Sequence, residues 1–261
     1  MKGNLLKYPG GKWLKHEALW SEDALRALLP ETEMFSADTF IQMIEKHTVL
    51  FLKPDLGMRG QGIIKVSREE GGACIVRTAA KTYRYRNVND ASHKLNKLTE
   101  GKSYIVQQGI DLIRIKGSPV DFRVLLHIGP NNRWRFFGIM GKVAAKNQFV
   151  TNHSSGGKPI RLHQALSLTL GIGRKDAPQW DERIKKLSFT IARAMKKHYP
   201  NITELGLDIA IDKSHKIWLL EANTKPQYQL FRYHANPYLY GNIVKSVRHL
   251  RAAALTKASR R

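Results

Sequence analysis

The chain has little cysteine, little acidic charge and no long apolar run. Its 261 residues include one cysteine, Cys74, which has no partner for a disulfide within the chain. No stretch approaches the ~20 consecutive apolar residues of a membrane-spanning helix, and the first residues contain no apolar segment of signal-peptide length. We therefore predict a cytoplasmic protein with no transmembrane segment, and these absences argue against a disulfide-stabilised secreted scaffold.

Acidic residues are scarce, because 44 Lys and Arg face only 21 Asp and Glu and give a formal net charge of +23. Such a field attracts nucleic acids, phosphorylated ligands and other polyanions, but it carries no information about the fold. Residues 245–261 form a local basic tail. We favour a solvated helix face with a frayed terminus for this tail, with a nucleic-acid or membrane surface as the alternative. Nucleic acid is thus a conceivable partner that the sequence does not favour.

Helical and hairpin patterns are mixed along the chain. Hydrophobic residues make up 42% of it, which suffices for a packed core. Residues 20–47 have the pattern of helical pieces broken at Pro30, one of them capped at Ser36. Later segments alternate between short apolar strands and helices. This mixture predicts an α+β fold with antiparallel strands rather than a doubly wound parallel sheet.

A glycine-containing loop follows an apolar strand that ends in Lys53 and is itself followed by a second strand. The glycines are Gly57, Gly60 and Gly62. Glycine permits positive φ and lets backbone N–H groups approach an anion closely. Lys53 would add a fixed positive charge at the mouth of such a phosphate-binding loop. A glycine-rich hairpin without a ligand explains the same residues equally well.

Two strand-like stretches near the C-terminal end flank a turn at residues 213–216. Antiparallel pairing that sets Asp208 opposite Glu221 also sets Gly206 opposite Asn223. The other face is then almost wholly apolar, so burial selects this register. That apolar face is predicted to carry Leu205, Leu207, Ile209, Ile211, Trp218, Leu220, Ala222 and Thr224.

The selected register places two carboxylates and a carboxamide on one face. Directly opposed like charges destabilise a sheet. A divalent cation bound by Asp208, Glu221 and Asn223 would offset the repulsion, and these oxygen ligands suit Mg²⁺. The alternative is an exposed acidic pair tolerated by nearby lysine or arginine. We favour the metal site and expect that removing either carboxylate abolishes function with little loss of folding.

At these residues the sequence resembles the ATP-grasp superfamily, most of all the YheC/YheD group of endospore-coat-associated proteins. It is also similar to ribosomal-protein glutamate ligases and D-alanine–D-alanine ligases. The resemblance covers about residues 12–240. It rests on ordered motifs at residues 28–32, 52–54 with 57–62, 106–110, 121–124, 151–152 with 156–157, and the acidic hairpin.

The resemblance implies two α/β lobes whose antiparallel sheets enclose a nucleotide cleft. It also implies a Mg-ATP-dependent ligase that joins a carboxylate to an amine through an acyl phosphate. The cofactors would be ATP and Mg²⁺, and the acceptor would be an unidentified molecule, which the positive charge suggests is anionic. Association with a spore coat is compatible with it. The alternatives are a nucleotide-binding structural protein of the coat and a basic nucleic-acid-binding protein.

Residue roles also follow from the resemblance. Arg123 would stabilise charge on the transferred γ-phosphate, and Lys142 and Asn152 would orient the acceptor or intermediate. One or two Mg²⁺ would be bound by Asp208, Glu221 and Asn223. The nucleotide would be bound by Lys12, Lys53, Gly57, Gly60, Gly62, Gln107, Gln108 and Ile110.

The sequence departs from the family pattern in two places. Gln107 and Gln108 stand where many relatives carry a glutamate that binds the ribose hydroxyls. The segment before the first lobe, which normally shapes the acceptor site, is short. The predicted division is a short N-terminal segment at 1–47, a small lobe at 48–108, a large lobe at 109–244 and the basic tail at 245–261.

Overall fold

The computed structural model describes residues 10–57, 60–129, 131–146, 148–149, 151 and 156–258. Within these ranges, helices and strands build two antiparallel six-stranded sheets with helices packed on their faces. The predicted α+β class is therefore confirmed. No helix in these ranges is long and apolar enough to cross a membrane.

The N-terminal part contains one strand among its helices. The elements are α1 (Lys12–Trp20), α2 (Asp23–Arg26), β1 (Thr32–Met34) and α3 (Ala37–Lys46). The prediction of helical pieces broken at Pro30 over residues 20–47 is wrong at β1, which pairs antiparallel with a strand about 70 residues later. A three-residue strand has too little local pattern to be recognised. Ser36 does cap α3, because its side chain accepts a hydrogen bond from the Thr39 N–H.

The small sheet has the strand order β1-β6-β2-β3-β4-β5. Leu50 and Leu52 face the core formed with α3 and α4, whereas Phe51 and Lys53 alternate onto the opposite face. The elements after α3 are β2 (Val49–Pro54), β3 (Ile64–Arg68), β4 (Cys74–Arg77), β5 (Thr82–Tyr85), α4 (Val88–Thr99) and β6 (Tyr104–Gln108).

The large sheet has the strand order β10-β9-β8-β11-β12, with β7 paired to β8. Its helices α5 and α6 cover one face and α7 covers the other. The elements are β7 (Arg114–Ile115), β8 (Ser118–Ile128), β9 (Trp134–Val143), β10 (Lys158–Ile160), α5 (Leu162–Leu170), α6 (Ala177–His198), β11 (Glu204–Ile211), β12 (Ile217–Asn223), a 3₁₀ helix (Gln229–Tyr233) and α7 (Leu239–Ala258).

The N-terminal segment contributes to both cores. Leu19 of α1 and Leu25 of α2 are buried against the large sheet, whereas Phe40 of α3 is buried against the small sheet. The predicted start of the basic tail lies inside α7, where Val247 is part of the core. The domain boundaries remain predictions, and the segment before residue 48 joins the two lobes.

Candidate functional site

A cleft of about 1220 Å³ lies between the two sheets. The small sheet contributes Lys53 and the glycine loop, the strand β6 contributes Gln107, and the large sheet contributes Asp208 and Glu221. Every predicted site residue that the structure describes lines this cleft except Gly62, which lies at the end of the loop. Asn152 lies outside the described residues.

The glycine loop has the backbone conformation for which glycine is suited. Gly60 has φ of 70° and Gly62 has φ of 74°. A Cβ atom on Gly62 would lie 2.9 Å from the Pro54 ring and 3.1 Å from the Tyr104 hydroxyl. A larger residue at position 62 would therefore be strained and would displace the end of β2.

Two lysines line the cleft beside this loop. Lys53 Nζ donates to Gln107 Oε1 at 2.5 Å, and burial lowers the pKa of this lysine. Lys12 Nζ donates to the carbonyls of Pro54 (2.9 Å) and Gly57 (3.2 Å), at the start of the loop. The same ammonium group lies 3.9 Å from Glu221 Oε1, on the opposite wall. Lys12 therefore links the loop electrostatically to the acidic hairpin.

The segment between the lobes is held by its own hydrogen bonds. The Gln108 N–H donates to the Glu31 carbonyl at 2.8 Å, and Gln108 Oε1 accepts the Glu31 N–H at 3.2 Å. Gln107 is 5% exposed and its amide contacts two other side chains. Ile110 lines the cleft. The contacts of this segment with adenine and ribose remain predictions.

The acidic hairpin has the predicted pairing at its functional end. Asp208 lies opposite Glu221 and Gly206 lies opposite Asn223. Beyond Asp208 a β-bulge shifts the register, so that Ile209 pairs with Leu219. The prediction that Leu220 and Trp218 share the apolar face is therefore wrong. The extra residue turns Leu220 into the cleft lining, and the Trp218 Nε1 donates to Asp212 at 2.8 Å.

Asp208 lies at the centre of a buried charge network. The Arg123 guanidinium donates to both of its oxygens, at 2.9 Å each, and Lys142 Nζ donates to Oδ1 at 2.8 Å. Asn223 Nδ2 donates to Oδ2 at 3.0 Å. Burial alone would raise the pKa of Asp208, but Arg123 and Lys142 outweigh it and hold that pKa at about 2. Asp208 is therefore ionised at neutral pH.

A family profile described as YheC/D-like ATP-grasp matches residues 7–250. The chain belongs to this ATP-grasp family. It is 30% identical over 243 residues to the endospore coat-associated protein YheD of Bacillus subtilis (strain 168), a match covering 90% of this chain and 52% of YheD. It is 22% identical over 219 residues to YheC of the same organism, covering 82% of this chain and 59% of YheC. The chain thus spans a little over half the length of both relatives.

Solved structures share the ATP-grasp fold. D-cycloserine synthetase DcsG is similar with a TM-score of 0.54 and 10% identity, over 92% of this chain and 70% of that chain. The ADP complex of purK, N5-carboxyaminoimidazole ribonucleotide synthetase, is similar with a TM-score of 0.50 and 11% identity, over 87% and 47%. The predicted family and the fold of two lobes with antiparallel sheets are confirmed.

Asp121 is a site residue to which the sequence pattern assigned no role. It precedes Arg123 by two positions on β8, so both side chains lie on the same face of the strand. Asp121 Oδ1 lies 3.0 Å from Lys142 Nζ, and the Thr151 hydroxyl donates to its other oxygen. Burial raises the pKa of Asp121. The alternation of side chains along β8 was the feature of the sequence from which Asp121 could have been recognised as a site residue.

Lys15 is a second cleft residue that the sequence reasoning missed. It lies one turn after Lys12 on α1, and this i, i+3 spacing places both ammonium groups on one side of the helix. Burial lowers the pKa of Lys15, and Glu221 is the carboxylate that most favours its charged form. Recognition of α1 as a helix would have identified it.

The acidic hairpin provides oxygen donors suited to a hard cation, but protein cations already balance it. Arg123 and Lys142 pair with Asp208, and Lys12 lies near Glu221. The alternative to a metal site was an exposed acidic pair balanced by nearby lysine or arginine. Such cations are present, but the carboxylate that they balance, Asp208, is buried. No three His, Cys, Asp or Glu side chains form a metal-binding group in the part of the chain that the structure describes. Asp208, Glu221 and the Asn223 carboxamide still fit Mg²⁺ by their ligand chemistry.

Proposed function

We propose that this ATP-grasp chain is a Mg-ATP-dependent ligase that joins a carboxylate to an amine through an acyl phosphate. The observation that carries the proposal is the arrangement of charges in the cleft. The acidic set Asp208, Glu221 and Asn223 occupies one wall, and Lys53 occupies the other. Membership of the family and the fold of its ligase neighbours support the same proposal.

The small lobe and the segments that adjoin it would bind the nucleotide. Lys12 and Lys53 would contact its phosphates beneath the glycine loop, which would supply backbone N–H groups. Gln108 and Ile110 would bind and cover the base. Mg²⁺, when bound by the acidic set, would neutralise phosphate charge and favour transfer as a Lewis acid.

The large lobe would direct the chemistry. An oxygen of the substrate carboxylate attacks the γ-phosphorus, the bond to the β-phosphate oxygen breaks, and an acyl phosphate and ADP form. An amine then attacks the acyl carbon, phosphate leaves, and the amine loses a proton. Arg123, which donates to Asp208 in the cleft, would stabilise charge that develops on the transferred group. Lys142, which also donates to Asp208, would orient the acceptor or the intermediate.

The acceptor is proposed to be anionic, because lysine and arginine outnumber carboxylates in the cleft lining. The names of the YheD and YheC relatives support association with the spore coat as part of this proposal.

The decisive experiment is nucleotide titration followed by a turnover assay. Calorimetry with ATP, with and without Mg²⁺, should give Mg²⁺-dependent binding. ADP and phosphate release should then appear only when an acid and an amine are supplied together from a panel that includes acidic peptides. Mg²⁺-dependent binding without release across that panel would favour the nucleotide-binding structural role, and no binding at all would contradict the proposal.

Polyanion binding is a second candidate, favoured by a basic cavity outside the cleft. This cavity of about 510 Å³ combines two aromatic rings with four cationic side chains. Its lining is Asn132, Arg133, Trp134, Phe189, Arg193, Lys196 and Lys197. Single-stranded nucleic acid binds such combinations of ring and charge. Binding of labelled oligonucleotide should then weaken steeply with salt and should weaken further in an Arg193→Glu variant.

A further inference from the structure

Gln107 occupies a central place in the small sheet. Its strand neighbours are Thr32 on β1 and Phe51 on β2. Its side-chain amide connects Thr32 to the cleft lysine, because Nε2 donates to the Thr32 hydroxyl at 2.9 Å and Oε1 accepts from Lys53 Nζ at 2.5 Å. Gln107 and Thr32 are buried, at 5% and 4% exposure.

The donors and acceptors of this chain fix the orientation of the amide. The Thr32 hydroxyl has one hydrogen, which it donates to the Pro30 carbonyl at 2.9 Å. The hydroxyl oxygen must then accept from the Gln107 amide nitrogen. The amide oxygen consequently faces Lys53, whose ammonium group can only donate. The opposite orientation would set N–H groups against N–H groups at Lys53.

An uncharged partner has a particular consequence for a buried lysine. A glutamate at position 107 would lie at ion-pair distance from Lys53 and would neutralise its charge. The amide oxygen fixes the ammonium group with a hydrogen bond but leaves its net charge. Glu221 also attracts Lys53, but from the other side of the cleft.

We propose that Gln107 is a positioning residue, oriented by Thr32, that fixes Lys53 in the cleft without pairing its ammonium group with a carboxylate, which leaves that group available to an anionic ligand. This inference rests on the proposed nucleotide-binding function. It assigns Gln107 and Thr32 to phosphate affinity rather than to contacts with ribose. It also gives a physical purpose to the motif at residues 28–32, because Thr32 sets the direction of the whole hydrogen-bond chain.

The test compares ligands with and without phosphate charge. Calorimetry would measure binding of ATP, inorganic tripolyphosphate and adenosine to the purified chain. Gln107→Glu should lower the affinity for ATP and tripolyphosphate about tenfold or more, since an ion pair competes with the ligand for Lys53, and should leave adenosine binding unchanged. Thr32→Val, which removes the acceptor for the amide, should weaken both anions several-fold.

Two further variants separate positioning from mere folding. Thr32→Ser retains the hydroxyl and should restore the affinity that Thr32→Val loses, with thermal denaturation confirming that each variant is folded. Gln108→Glu adds a charge to the adjacent residue, whose side chain contacts the Glu31 backbone, and should weaken the anions less than Gln107→Glu. Equal losses in the two glutamate variants would overturn the inference, as would Thr32→Ser behaving like Thr32→Val.

The ligands also distinguish the two proposals from each other. A parent chain that binds tripolyphosphate but shows no preference for ATP would contradict the proposed nucleotide function, while the Gln107 inference would be judged on tripolyphosphate alone. A parent chain that binds neither anion would overturn both proposals. Gln107→Glu that binds both anions like the parent would overturn the inference and leave the proposed function intact.

Discussion

The small-lobe wall of the cleft holds Lys53 against an uncharged amide, whereas the large-lobe wall holds Arg123 and Lys142 against carboxylates. The two walls differ in whether their cations are already paired with carboxylates. Among the described residues, no carboxylate lies within ion-pair distance of Lys53, so an incoming anion can meet its ammonium group directly. Arg123 and Lys142 are balanced by Asp208 and Asp121, so a ligand must share or replace existing contacts to use them.

Removal of the Asp208 carboxylate should have the largest effect on the large-lobe wall. Asp208→Asn leaves Arg123 and Lys142 buried without their shared carboxylate, and we expect a loss of ~3–5 kcal/mol in the free energy of unfolding. The expectation of little loss of folding, which came from the sequence pattern, does not suit a side chain that is 8% exposed. Urea denaturation of the variant and the parent measures the difference.

Glu221→Gln is the matched control for that variant. The Glu221 side chain is 28% exposed, and its Oε1 lies 3.9 Å from Lys12 Nζ. We therefore expect a loss of at most ~1 kcal/mol in the free energy of unfolding. Mg²⁺-dependent turnover should nevertheless be lost in both variants. Equal denaturation curves for Asp208→Asn and the parent would show that the buried network does not stabilise the fold.

A conservative change on the same wall tests geometry rather than charge. Arg123→Lys keeps a cation but removes the forked contact with both oxygens of Asp208. We expect phosphate release with the true substrates to fall ~10²-fold, while the ATP dissociation constant changes little. Single-turnover rates and calorimetry supply the two measurements. A variant with the parent rate would remove Arg123 from the reaction.

Lowering the pH should have the smallest effect, a loss of the stability that Asp208 contributes on the large-lobe wall. The pKa of Asp208 is held at about 2, below its ordinary value of 3.8. Its contribution to stability is therefore complete above about pH 4 and is lost as the pH falls towards 2. Asp121, whose pKa burial raises, acts in the opposite direction. Subtracting the denaturation midpoints of Asp208→Asn from those of the parent gives the contribution of the Asp208 charge together with its effect on Asp121, and this difference should decline as the pH falls over this interval.

Local pattern was sufficient to predict the acidic end of the hairpin. A short turn and alternating apolar residues fix which side chains oppose each other, so Asp208 and Glu221 could be paired from sequence. The bulge after Asp208 could not be predicted, because the shift exchanges one pair of apolar side chains for another on the core face. Ile217 and Leu219 are buried there in place of Trp218 and Leu220.

The remaining site residues depend on contacts that are distant in sequence. Helix α1 has no side-chain cap of its own at Gly11. Instead, the Asp55 carboxylate accepts the Trp13 N–H at 2.8 Å, from 42 residues away. The signal for the helix start, and with it the paired placement of Lys12 and Lys15, was therefore absent from the local sequence. The partners of Gln107 are similarly 54 and 75 residues distant.

Helix α1 spans the gap between the lobes as a single rigid piece. Its last turns pack in the large-lobe core, and its Leu14 carbonyl accepts the Tyr199 hydroxyl at 2.9 Å. Its first turn is bound to Asp55 at the foot of the glycine loop. If the lobes separate, the helix must stay with one of them. Should it stay with the large lobe, the Asp55 bond breaks and Lys12 leaves the Pro54 carbonyl. Opening the cleft would then remove a positive charge from the loop at the same moment that it admits solvent.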